Sequence, residues 1–177
     1  MELVESAYAI SDSGAERASL DELGSQIVAV AGRLAAATCR WLLMVAEFDA
    51  RDGCARFGLA STARWLSHAC GLSHRTALEH VRVARALVAH PRLADEMACG
   101  RLSYSHVRAI SRVVEPGEGR LVDDLVMAAE HGTVGQLESL VRGLRTVADN
   151  ESQTAGGPVE YVTRGWASDS RWKLTAR

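Results

Sequence analysis

The sequence predicts a mainly α-helical fold: a multi-helix bundle with one long N-terminal helix and helix-turn-helix-like hairpins, followed by a short incomplete β hairpin. Three observations lead there. Apolar residues from Leu20 to Phe48 recur at three-, four- and seven-residue steps, the period of one helix face. After Gly58, hydroxyl residues that cap helices alternate with the glycines and prolines that stop them. From Val159 onward the period falls to two, the alternation of a strand.

Residues 1–18 are small and polar without a period, and read as a flexible N-terminus. Ser19 caps the first helix, and Glu22 three residues later completes a capping box. Leu20, Leu23, Ile27, Val30, Leu34, Trp41, Val45 and Phe48 carry the helix to about Ala50, where Asp52-Gly53 stops it. Arg33, Arg40 and Glu47 interrupt the apolar run on one narrow stripe, so it reads as a buried helix of a soluble protein and not as a membrane span. With so little polar surface it needs apolar partners on most sides, as the central helix of a bundle or in an oligomer interface.

Shorter helices follow. Ser61 caps one over 62–70 that stops at Gly71, and Ser73 caps the next over 74–90, which ends at His90-Pro91. A helix over 92–99 stops at Gly100, and Ser103 caps another that ends before Pro116-Gly117. Helices over 118–131 and 134–148 are separated by Gly132-Thr133 and close a helical domain spanning 19–148. "DNESQTAGGP" (149–158) has the composition of a linker, and 159–177 reads as the start of a truncated β region with "ASDS" as its turn. "ACGLSHRTALEHV", "ACGRLSYSHVRAI" and "AEHGTVGQLESLV" share one grammar, helix end, glycine, hydroxyl cap, new helix, without a fixed period.

A formal charge of −2 conceals a strong asymmetry. Residues 1–50 carry three basic and eight acidic side chains; residues 51–112 carry ten arginines against four carboxylates; residues 113–150 return to three against seven. A basic centre of this kind can present a local positive field to a polyanion, or its arginines can pair with the acidic flanks inside the fold. Four cysteines without short paired spacing and an acidic "MELVESAYAI" start read as reduced thiols in a cytoplasmic protein.

"STARWLSHACGLSHRTALEHVRVARAL" supplies the parts of a helix-turn-helix: a short helix, a glycine turn and a second helix whose first residues can enter a major groove. Ala77, Val81, Ala84 and Val88 form its apolar face, and Arg75, Arg82 and Arg85 share the other side. Arginine suits this role because its planar fork bonds guanine or phosphate bidentately. His74 and Thr76 are candidates for base-edge contacts, and Arg64, Arg108 and Arg112 for outer phosphate contacts. No cofactor, metal or catalytic constellation emerges. His68, Cys70 and His74 are split by Gly71, and Ser61, Ser73 and Ser103 are explained as caps. Trp41, Trp65 and Tyr104 read as core anchors.

"GLASTARWLSHACGLSHRTALEHVRVARAL", "GRLSYSHVRAISRVV" and "TVGQLESLVRGLR" closely resemble the domain of unknown function 222, also called the 13E12 repeat family. The similarity runs from about Leu34 to Arg145. Members are typical of GC-rich actinobacteria, sometimes within mobile elements, and longer ones end in an HNH nuclease module. The resemblance implies a DNA-binding, non-catalytic N-terminal domain with double-stranded DNA as partner. The nuclease itself cannot be built here, because Asn150 is the only asparagine and no histidine follows His131. The competing expectation is a protein-interaction or oligomerisation domain that pairs through the 20–50 helix.

Overall fold

The computed structural model describes residues 19–155 and two backbone segments, Val162–Trp166 and Trp172–Ala176, with side chains described over 19–147. The terminus expected to be flexible over 1–18 lies outside the described residues. Seven α-helices are present among them: α1 (Leu20–Ala50), α2 (Thr62–Ala69), α3 (His74–Ala89), α4 (Pro91–Ala98), α5 (Tyr104–Ile110), α6 (Gly119–His131) and α7 (Val134–Ala155). A 3-10 turn, Gly53–Phe57, follows α1. The chain divides into two units, residues 1–138 and 139–177. The division falls inside α7, ten residues before the domain end expected at 148, and the helix itself continues into the stretch expected to be linker. Of the expected hairpin, the described backbone comprises only Val162–Trp166 and Trp172–Ala176, in antiparallel register with Trp166 opposite Trp172.

The helix starts follow from local chemistry. Ser19, Ser61, Ser73 and Ser103 each accept a hydrogen bond from the backbone N–H three residues on. Glu22 closes the first of these into a capping box. At α5 the reciprocal partner is a histidine: His106 Nδ1 accepts from the Ser103 backbone N–H at 3.2 Å. Pro91 opens α4, where its missing N–H costs nothing. Helix α5 is shorter than the sequence suggests. The N–H groups of Arg112 and Val113 bond three residues back, to Ala109 and Ile110, and tighten the chain into a turn well before Pro116.

The central helix is α3, not α1. Ala77, Val83, Ala84 and Leu87 are fully or almost fully buried, and α3 packs against α1, α2, α4 and α5. Leu42 of α1, Leu66 of α2, Leu93 and Met97 of α4, Leu102, Ile110 of α5 and Leu125 of α6 fill the rest of the core. Of the apolar face expected on α3, Ala77, Val81 and Ala84 are buried; Val83 and Leu87 widen it on one side, and Val88, at the end of the helix, is 60% exposed.

Helix α1 departs furthest from expectation. Its buried residues, Ala35, Cys39, Leu42, Val45 and Ala46, all lie in the second half. Leu20, Ile27, Val28 and Leu34 are 86%, 61%, 72% and 63% exposed. Periodicity identifies which residues share a face, but not whether a partner covers it. By length and composition α1 is also apolar enough to cross a membrane. Just before its buried residues begin, α1 makes a close backbone approach at Gly32: a Cβ on Gly100 would lie 2.9 Å from Gly32 Cα, and Gly100 has φ +80°.

Replacing Leu87 by alanine should cost about 2–5 kcal/mol in urea denaturation, the range for a buried leucine, while Val28→Ala, at an exposed residue, should stay within about 0.5 kcal/mol. Stability should also depend on pH. Burial holds His80 and His106 below the ordinary histidine value, with Glu79 partly countering this at His80. The unfolded chain therefore takes up protons first, and stability falls as pH drops through the unfolded value of about 6.5. The melting temperature should decline between about pH 7 and 5, and His106→Gln, which keeps a cap acceptor, should flatten that decline.

Candidate nucleic-acid interface

Helices α2 and α3 follow one another across a short turn at Cys70–Ser73. The chain leaves α2 at Cys70 and reverses through Gly71, whose φ of +67° suits a residue without a Cβ. It enters α3 at Ser73, whose hydroxyl accepts from the Thr76 N–H at 3.1 Å. Arg64, Ser67, His68 and His74 line a shallow depression of about 460 Å³ beside this turn. Arg64, His68, His74 and Arg75 are all exposed. No carboxylate among the described residues lies within ion-pair distance of any of the four. Thr76 is also exposed, but its hydroxyl lies 2.7 Å from that of Ser73 and belongs to the cap.

The other arginines expected to contact nucleic acid sit in a different environment. Arg82 is half-buried and donates to Ser111 Oγ at 2.6 Å and to the Arg108 carbonyl at 3.4 Å. It thereby serves the carbonyl end of α5, where a cation meets the negative end of the helix dipole. Burial lowers the Arg82 guanidinium from its ordinary value. Arg85 reaches Asp49 Oδ2 of α1 at 2.7 Å, although its side chain remains 68% exposed. Burial alone would raise the Asp49 carboxyl, but hydrogen bonds from Arg85 and Thr62 and the nearby charge bring it below the ordinary value.

Arg108 and Arg112 converge on one carboxylate. Glu79 of α3 lies 3.8 Å from Arg108 and 3.4 Å from Arg112. Arg108 also bonds Glu138 of α7 at 2.8 Å. Tyr104 stands beside this cluster, its ring 5.0 Å from that of His80, and burial pushes its hydroxyl up to about 12. His80 in turn meets Trp41 edge-on at 5.0 Å.

The eight candidate residues therefore do not form one surface. Arg64, His74 and Arg75 gather at the turn, whereas Arg82, Arg85, Arg108 and Arg112 are engaged with the protein's own groups. His68 joins the first group. The sequence showed its position near the turn, but a histidine at the end of a short helix carries no sign of which way it faces. Glu79 as a shared acceptor was also hidden, because its partners lie about 30 residues away on another helix.

A second cavity, of about 810 Å³, lies at the end of α1. Leu43, Met44, Phe48 and Phe57 form its floor, and Arg40, Arg51 and Arg56 stand at its rim. Among the described residues, no group of three or more His, Cys, Asp or Glu is placed to hold a metal. Cys39 and Cys54 are buried free thiols; Cys70 and Cys99 are exposed ones.

The chain matches no family model, no curated protein and no solved structure.

Releasing a paired arginine tests whether the internal carboxylates limit the positive field. Asp49→Asn should free the exposed Arg85 and delay elution from a heparin column. Glu47→Gln, which removes a carboxylate from an exposed pair with Arg51, is the control of equal charge. An equal delay from both would show that net charge alone sets retention.

Proposed function

We propose that the chain is a non-catalytic DNA-binding domain, the N-terminal part of a cytoplasmic HNH endonuclease-like protein of the family that its motifs resemble. Recognition is by the turn of the helix-turn-helix, with α3 entering the major groove by its first residues. The observation that carries this reading is the group Arg64, His68, His74 and Arg75, exposed around the turn and without a carboxylate partner among the described residues. Arg64 and Arg75 contact phosphate or guanine, and His74 lies at the base edge. Arg85 makes an outer contact. Arg82, Arg108 and Arg112 fix the helices that carry the site.

A second reading, a protein-interaction domain, is favoured by the exposed apolar residues of α1. Fluorescence anisotropy with labelled duplex DNA across a salt series separates the two. Arg64→Ala/Arg75→Ala should weaken binding at least about tenfold and make the slope of log affinity against log salt shallower by about two phosphates. Arg85→Ala should have a smaller effect. No binding at low salt by the folded chain would sink the DNA reading and leave the interaction reading standing.

A further inference from the structure

The exposed residues of α1 form a continuous seam. Leu20, Leu23, Ile27, Val30, Leu34, Ala37, Trp41 and Met44 follow alternating three- and four-residue steps without a break. In heptad terms they occupy successive a and d positions through about three and a half repeats. Of the residues that α1 buries in its own domain, Ala35, Cys39, Leu42 and Ala46 lie roughly a third of a turn away around the helix, and Val45 lies beside the C-terminal end of the seam, next to Trp41. Docking on the domain thus leaves most of the seam open. Leu20, Ile27, Leu34 and Met44 are 57–86% exposed, Leu23 and Val30 are about 40% exposed, and Trp41 is half-buried against His80.

We infer that this seam pairs with the same seam of a second copy of the chain, in an antiparallel two-stranded coiled coil. A period of 3.5 residues matches a left-handed supercoil and needs a partner with the same repeat, which a second copy supplies. The area suffices. Six large apolar residues of the seam, offering on the order of 100 Å² each, approach with their flanking residues the roughly 800 Å² per partner of a stable interface. The helix dipoles select the orientation: an antiparallel pair opposes them, whereas a parallel pair sets like end beside like end. The pairing does not rest on DNA binding.

The test is the oligomeric state of the full chain, by sedimentation velocity from low to high micromolar concentration. A reversible dimer is expected. Ile27→Glu/Leu34→Glu should weaken it at least tenfold. Both side chains are solvent-exposed in the single chain, so circular dichroism should show an unchanged fold. Val28→Glu places one such charge on an exposed residue outside the seam and should leave the dimer intact, whereas Ile27→Glu alone, of equal charge, should weaken it. A chain that stays monomeric throughout overturns the inference, as does disruption by Val28→Glu equal to that by Ile27→Glu. A monomer that floats with phosphatidylcholine–phosphatidylglycerol vesicles would assign the face to lipid instead. In a Cys70→Ser/Cys99→Ser background, Leu20→Cys that crosslinks to its own copy on mild oxidation would overturn the antiparallel orientation.

Discussion

A basic segment enclosed by acidic flanks must either neutralise itself or repel itself, and this chain neutralises itself between helices. Arg85 of the centre takes Asp49 from the first flank. Arg108 takes Glu138 from the second, and Arg92 approaches Asp123 at 3.9 Å. Glu79, a carboxylate of the centre itself, is shared by Arg108 and Arg112. Exposed pairs of this kind contribute only about 0–1 kcal/mol each. The apolar core around α3 therefore supplies the bulk of the stability. The pairs act differently: they fix which side of each small helix faces its neighbour, and they determine how much positive charge remains for a partner.

Glu96 shows the same logic inside the core. Its carboxylate is buried at the end of α4, a costly position for an unpaired charge. Hydrogen bonding by Arg101 holds it below the ordinary carboxylate value, and Arg92 adds to this. The backbone carbonyl of Glu96 also accepts from the N–H groups of Arg101 and Leu102. One residue thus terminates α4, satisfies two arginines and positions the Gly100 turn against Gly32 of α1. That contact sits near the middle of α1, beyond which the helix is held against the core, whereas Leu20, Ile27 and Val28 before it are exposed among the described residues.

The local grammar was legible from sequence because it depends on neighbours three or four residues away. Ser19, Ser61, Ser73 and Ser103 cap where their spacing said, and Gly71 reverses the chain where a positive φ was needed. What depends on contacts across the fold was not legible. The period of α1 gave a helix and a face, but its solvent exposure follows from where Gly100 docks. The arc of Arg75, Arg82 and Arg85 on α3 was geometrically sound. It still could not show that α5 would lie along part of it and draw Arg82 inward to Ser111. His106 occupies a capping-box position normally held by Glu or Gln, and only its ring geometry reveals that role.

Self-neutralisation has a consequence for any polyanion partner. Arg64 and Arg75, beside the α2–α3 turn, have no carboxylate partner among the described residues, and two phosphate contacts release few counterions. In the proposed DNA-binding reading, binding by one copy through these residues alone is weak and salt-sensitive. The proposed pairing through α1 would change the arithmetic without adding a contact to either site. Two turns held in one particle bind a long duplex with the second contact made at an effective concentration set by the scaffold, provided that both can engage at once. On the two proposals together, the exposed seam and the sparse positive patch are complementary features: the first would bring two copies together, and the second would give each a small contact to the duplex.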